Sequence, residues 1–401
     1  MKLSYSLPIN LKIRPFSFGI NLEFIYLILF AGFAALNLLS GTPLPFGLIF
    51  RVYRYIAIVG IFVIFFLKNR YSFTKASLIV IIAVVFFIVA NVTQKSTLIV
   101  SGLFVAAAGI TKFEKIVKTS LIATVPSLLF VIACSKVGII PDHLFMHEGH
   151  VAHSLGFSYY STFAYIALFC MISYLYLRGS KISWIEILTM TGLNYVVYKL
   201  STTRLAFYIF LLVLGLFLML IKFNMFKDIN KSFYKMLAIL GYPITCIITI
   251  WASLNYSVNS PMWRKINEIS ANRLVLSHKA FIMYSPKIFG QYIEMHGNGY
   301  GDNGAYFYID SGYVYSVLGY GILFTGILII AYSFMTWAAC KKNDKELLLW
   351  LLAIMAFSII NNVWVNVTYN SILLAFLPMI QKLKKEESAV VKLCRKVLSI
   401  K

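Results

Sequence analysis

Apolar residues run along this chain in blocks of roughly twenty, separated by short polar stretches. A helix rises about 1.5 Å per residue, so about 20 apolar residues cover the roughly 30 Å of hydrocarbon in a bilayer. The blocks predict spans at 21–39, 53–68, 75–92, 97–111, 118–137, 158–177, 182–198, 203–222, 235–254, 312–336, 346–361 and 364–380. The third (SLIVIIAVVFFIVA) and the eighth (LAFYIFLLVLGLFLML) are uniformly apolar, whereas the seventh contains Glu186 and Asn194, and the last two lie close together. The fold expected from this pattern is all-α: a single polytopic membrane domain over residues 1–401, with about 12 transmembrane helices and one large extracytoplasmic loop at 255–311.

Composition agrees with the pattern. Hydrophobic types make up 60% of the 401 residues, charged types 12%, and the mean hydropathy is +0.82. A soluble chain carries about 25% charged residues, and no single core can hide this much apolar surface from water. The net charge of +22 does not point to nucleic acid, because Lys and Arg fall in short clusters between apolar blocks and no basic-aromatic module accompanies them. With the N-terminus inside and every block crossing, 25 of the 36 Lys/Arg fall on the inner side and 11 on the outer. That bias follows the positive-inside rule and places both termini in the cytoplasm, in a multi-pass cell (plasma or inner) membrane protein. The same register puts all six histidines outside: His143, His147, His150, His153, His278 and His296.

The connections differ in length. Residues 138–157 and 255–311 form the two larger outer segments. In the second, Ser260 reads as an N-cap and Pro261 as the first helical position. Met262, Ile266, Ile269 and Leu274, interleaved with Arg264, Lys265, Glu268 and Arg273, predict an amphipathic helix on the outer surface, ending before Ser285-Pro286. The glycine-rich stretch 296–304 reads as a turned loop; its GxGxxG (Gly299, Gly301, Gly304) follows no strand, so it is not a nucleotide fingerprint. Residues 381–401 form a basic tail suited to anionic cytoplasmic lipid. Cys134, Cys170, Cys246, Cys340 and Cys394 show no disulfide or zinc spacing, and the first block lacks a cleavage site, so it reads as a retained span.

The chemistry-bearing residues are mostly cations on the outer side. Arg51, Arg54, Arg204, Arg264 and Arg273 lie where the positive-inside rule disfavours them. A guanidinium grips phosphate with two parallel hydrogen bonds at any relevant pH, which suits a lipid-linked diphosphate. Headgroup contact by a snorkelling side chain explains the same residues. Among the outer carboxylates (Asp142, Glu148, Glu268, Glu294, Asp302, Asp310), Asp310 directly precedes a span; it can accept the proton of a sugar hydroxyl, or pair with an arginine or cap the helix. The first outer loop has no DxD or ExD pair for a bound metal. His143, His147 and His150 have ligand-like spacing without further signature, so polar loop contacts are the expectation and no metal is expected. Tyr159, Tyr160, Tyr306 and Tyr308 can stack on sugars or anchor at the interface. Glu186 and Asn194, with Asn361, Asn362, Asn366 and Asn370, can line a polar cavity or bond helix to helix.

Three segments carry a resemblance to a family. His153-Ser-Leu-Gly-Phe-Ser-Tyr-Tyr-Ser-Thr-Phe resembles the SLGF segment of the Wzy-type (O-antigen and capsular polysaccharide) polymerases of bacteria. Thr203-Arg204-Leu resembles their Ser/Thr-Arg element, and Asp310-Ser-Gly-Tyr-Val-Tyr resembles their Asp-Asn-Ser-Tyr segment. The likeness covers roughly residues 140 to 330, with departures at Tyr159-Tyr160-Ser161, where many members have His-Pro-Asn, and at Ser311, often Asn.

The resemblance implies a glycosyltransferase that needs no metal or cofactor. It would move a growing glycan from undecaprenyl diphosphate onto a second lipid-linked oligosaccharide repeat unit at the outer face. Arg204, Arg273, Arg51 and Arg54 would contact diphosphate, Asp310, His153 and Arg273 would serve catalysis, and Tyr159, Tyr160 and Tyr306 would hold sugar. The implied partners are lipid-linked repeat units and membrane lipid, with a chain-length regulator and a flippase as further candidates. A flippase or secondary transporter has as many spans but short outer loops and charges at mid-depth. An O-antigen-ligase-like transferase shares the whole layout.

Overall fold

The computed structural model describes residues 21–68, 73–147, 149–297 and 304–383. The N-terminal tail, Glu148, Gly299, Gly301, Asp302 and the tail beyond 383 lie outside the described residues. The chain is mostly helical: α1 (Leu22–Ser40), α2 (Gly47–Leu67), α3 (Phe73–Val92), α4 (Thr97–Ala107), α5 (Phe113–Lys136), a hairpin of β1 (Leu144–His147) and β2 (His150–His153), then α6 (Ser161–Arg178), α7 (Trp184–Ser201), α8 (Arg204–Phe217) and α9 (Ser232–Leu254). The 255–311 segment holds α10 (Pro261–Ile269) and α11 (Arg273–Met283); α12 (Gly312–Tyr315), α13 (Ile322–Lys341) and α14 (Lys345–Phe357) follow.

Seven helices among the described residues are long and apolar enough to cross a membrane: α1, α2, α5, α6, α8, α9 and α13. Ala76–Val92, Thr97–Ile110 and Ser371–Leu383 are shorter apolar helices. The outward faces are apolar too. On α2, Leu48, Val52, Tyr55, Val59, Phe62 and Phe66 all stand exposed. A patch of that size would drive aggregation in water, whereas in lipid it faces a solvent as apolar as itself. The chain is therefore an all-α, membrane-embedded protein. Ser183 and Glu186 form a reciprocal capping box at the start of α7, where Glu186 also takes Arg178 Nε at 2.7 Å and the Tyr174 hydroxyl. Glu186 therefore does not join the asparagines in a polar cavity, because α7 starts at Trp184 and puts it in the first turn.

The block 312–336 is two pieces. The chain is helical from Gly312 through a π-type turn to Tyr320, reverses at Gly321 (φ 95°), and begins again as α13. Tyr313 packs edge-on to Trp364 at 5.1 Å, and Trp364 also stacks on Tyr332 at 5.7 Å. Tyr332 lies in the middle of α13, ten residues after Ile322, the first residue of that helix. The two pieces are therefore antiparallel, and α12 begins about 15 Å down the bundle from the reversal. At the reversal two backbones touch. A β-carbon on Gly321 would lie 2.2 Å from Gly290 N, and one on Gly290 would lie 2.2 Å from Gly319 O. The amides of Ile322 and Leu323 donate to Lys287 O and Ile288 O (3.0 and 3.1 Å), and Gln291 N donates to Gly319 O (2.9 Å). The 255–311 segment thus supplies the partners that two helix ends lack.

The last two blocks also differ from straight spans. α14 stops at Phe357, residues 358–370 are irregular, and a 3₁₀ turn at Ser371–Ala375 leads into a helix ending at 383. Irregular backbone at membrane depth is tolerated only when it is buried in protein. Here Val363, Trp364, Val365, Val367, Thr368 and Asn370 are buried. Asn370 Nδ2 donates to Val363 O (3.0 Å), Trp350 Nε1 to Asn370 Oδ1 (3.2 Å), Ser120 Oγ to Thr368 O (3.0 Å), and Trp364 Nε1 to Ser316 Oγ (2.9 Å). Gly312 N closes the set on Ser358 O at 2.9 Å. Asn366, which accepts from Thr368 N at 2.9 Å, and Asn370 therefore serve the packing of this segment.

Candidate functional site

The expected single amphipathic helix is two. Ala271 and Asn272 adopt left-handed conformations (φ 51° and 64°), which ends α10 and turns the chain. Asn267 holds the corner, donating to Asn272 Oδ1 at 2.8 Å and accepting from Val275 N at 2.9 Å. Arg273 becomes the first residue of α11, and the helix is fixed to the C-terminal end of α9 by a 2.8 Å contact between His278 Nδ1 and Ser253 O.

The approach to α12 has strand-like alternation. His296 and Phe307 pair through both backbone bonds (2.9 and 3.0 Å). Tyr306 and Tyr308 are 43% and 40% exposed, while Phe307 and Ile309 are 5% and 1% exposed. The period of two puts Tyr306, Tyr308 and Asp310 on one face. Asp310 then meets Arg273, Nε to Oδ2, at 3.6 Å. The distance is an ion pair but too long for a hydrogen bond, and Arg273 Nε is buried with no hydrogen-bond partner. Ser311, not Asp310, caps α12, accepting from Val314 N at 3.4 Å. Burial pushes the Asp310 carboxyl above its ordinary range, and Arg273 pulls it back.

Tyrosines surround this pair. The phenols of Tyr159, Tyr165 and Tyr306 lie within electrostatic reach of both Arg273 and Asp310, and Tyr160 within reach of Arg273. Tyr159 and Tyr160 pack with ring centroids 4.3 Å apart, and Phe145 of the hairpin lies 5.5 Å from each. Burial pushes the Tyr306 phenol up to about 12 and raises Tyr159 as well, so both remain hydrogen-bond donors at working pH. The structure thus gathers Asp310, Arg273, Tyr159, Tyr160 and Tyr306, all candidates from the sequence, into one cluster.

Other candidates stand elsewhere. His153 Nδ1 contacts Asp142 Oδ2 at 2.7 Å, and Asp142 Oδ1 accepts from Leu155 N at 2.8 Å. Burial would raise the Asp142 carboxyl, but His153, the Leu155 amide and Lys136 outweigh it and hold it below its usual value. The carboxylate therefore fixes the imidazole with Nδ1 as the donor. The partner of His153 is Asp142, not Asp310. The hairpin itself, with Phe145 opposite Ala152 and Gly149 (φ 77°) at its turn, is not legible in a histidine-rich loop. Arg51 is exposed on α2, Arg54 turns toward Ser96, and Arg204 is the exposed first residue of α8. Sequence reasoning missed Lys95, whose Nζ lies 4.2 Å from the Tyr315 ring centroid. Its signal was a cation in the short 92–97 connection, on the side the positive-inside rule disfavours.

The chain matches no family model, no curated protein and no solved structure.

Proposed function

We propose that the protein is a polysaccharide polymerase that joins lipid-linked oligosaccharides at the outer membrane face. The observation that carries this reading is the Arg273–Asp310 pair with tyrosines around it at the end of the 255–311 segment. In this reading α1 to α9 and α13 cross, the termini are cytoplasmic, and α12 dips in from outside. α14 runs into the irregular, buried 358–370 segment, and the returning helix Ser371–Leu383 keeps the C-terminal end on the starting side.

The chemistry follows from the residues. The acceptor hydroxyl oxygen forms a bond to the anomeric carbon of the donor glycan. The bond from that carbon to the diphosphate oxygen breaks, and its electron pair leaves with the diphosphate. Asp310 takes the hydroxyl proton, and guanidinium groups stabilise the charge developing on the leaving group. The tyrosine hydroxyls and rings hold the sugars.

Three tests bear on this. Arg204→Ala tests a cation that stands apart from the Arg273–Asp310 pair: arrest of elongation, with single repeat units accumulating on carrier lipid, would add it to the diphosphate-binding groups, and normal polymer length would remove it. In cells lacking the protein, a lipid-linked oligosaccharide profile should show single repeat units. Full polymer left on its carrier would make the protein a ligase, and no glycan at the surface would make it a flippase. The pH profile has a stated sign. Asp310 must be ionised to accept a proton, so activity falls as pH drops through its raised pKa. Arg273→Gln removes the opposing charge, and the acidic limb of the pH–rate profile should move to higher pH. An unmoved limb would detach Asp310 from proton transfer.

A further inference from the structure

Lys95 lies in the α3–α4 turn and Arg54 reaches the residue next to it, Ser96, and among the described residues no carboxylate pairs with either. The Lys95 ammonium lies over Tyr315, which is 1% exposed. The hydroxyl of the next residue, Ser96, accepts from Arg54 Nη1. Arg54 lies 5.4 Å from the Phe50 ring centroid, and its Nε is buried with no hydrogen-bond partner. Of the outer-side acids, Asp142 is engaged by His153 and Lys136, Asp310 by Arg273 and Glu294 by His296, and Glu268 lies on α10. Burial pushes the Lys95 ammonium down to about 8, the direction expected of a cation short of counter-charge. An anion there would regain the charge-assisted hydrogen bonds that both side chains can offer.

The position also says what kind of anion. Val52, Tyr55 and Ile56, which flank Arg54 on α2, are exposed on the apolar face of the bundle. A polyprenyl tail can lie along that face while its head reaches Arg54. On the other side, Tyr315 is within electrostatic reach of Tyr308, and Tyr308 of Asp310, so Tyr308 links the surroundings of the turn to those of the Arg273–Asp310 pair. Transfer between two carriers requires two diphosphates. We propose that Lys95 and Arg54 form a second diphosphate subsite, separate from that of Arg273, which holds the other lipid-linked substrate. The assignment of the ligand rests on the polymerase reading, while the subsite rests on the geometry.

The test uses the full chain in detergent, titrated calorimetrically with farnesyl diphosphate. The expected result is two equivalents bound by the parent protein, one by Lys95→Gln, Arg54→Gln or Arg273→Gln, and two by Lys95→Arg, which keeps the cation. Two equivalents bound by Lys95→Gln would overturn the subsite, as would a single equivalent in the parent that only Arg273→Gln abolishes. Displacement of the Lys95-dependent equivalent by equimolar phosphatidylglycerol would overturn its assignment to substrate in favour of headgroup binding. Loss of one equivalent in Lys95→Gln, alongside normal polymer in cells lacking the protein, would leave the subsite standing and sink the polymerase reading.

Discussion

Asp310→Asn is expected, on the proposed polymerase reading, to lower the polymerisation rate by a factor on the order of 10² to 10⁴, the usual contribution of a positioned general base. Asparagine has the shape of aspartate but cannot take the proton. The neighbours cannot replace it. Burial holds the Tyr306 phenol at about 12, so it stays protonated, and His153 is engaged by Asp142. The substitution also leaves Arg273 without its ion-pair partner. That pair is about one-fifth exposed, so the loss is softened by solvent. Rate and thermal stability should therefore be measured together, in the purified protein with lipid-linked substrate. A variant that melts near the parent temperature and polymerises at the parent rate would end the assignment of Asp310 as base.

The second large effect is structural. Gly321→Ala should abolish accumulation of folded protein. Its φ of 95° with ψ of 160° lies in a region essentially reserved for glycine and costs an L-residue about 1 to 3 kcal/mol, and the new methyl group would lie 2.2 Å from a backbone nitrogen that has no room to yield. Together these place the variant among the exceptional single substitutions of more than about 4 kcal/mol. Gly326→Ala is the matched control. It lies in the helix that Gly321 precedes, with nothing within 4 Å of the new carbon, and should be neutral or slightly stabilising. Detergent-extracted yield and melting temperature of the pair decide the matter; equal values would mean that the two backbones at the reversal do not touch.

Much of the fold was legible because lipid imposes a length on each apolar block. The breaks were not. Gly321 and residues 358–370 sit inside apolar runs, and what permits them is a set of hydrogen bonds from distant residues, such as Lys287 and Ser120, that no local pattern records. Ala271 and Asn272 likewise interrupt a good amphipathic period with two left-handed residues. Of the site, Asp310 and Arg273 were legible as a carboxylate and a cation on the disfavoured side, and the tyrosines as interfacial aromatics. The alternation from Tyr306 to Asp310 was present in the sequence but hidden behind the glycine-rich stretch. Asp142 as the partner of His153, and Lys95 as the neighbour of Tyr315, needed the tertiary structure.

The bond from Gly312 N to Ser358 O has a consequence for biosynthesis. The helix that follows Asp310 leans on a segment the ribosome makes some 46 residues later, by the difference between 358 and 312. Until that segment leaves the insertion machinery, Tyr313 and Tyr332 lack Trp364 between them. The nascent chain therefore completes the packing beneath Asp310 only once residues 358–364 have been made, and a stop codon placed after α13 should yield a protein recognised by membrane quality control.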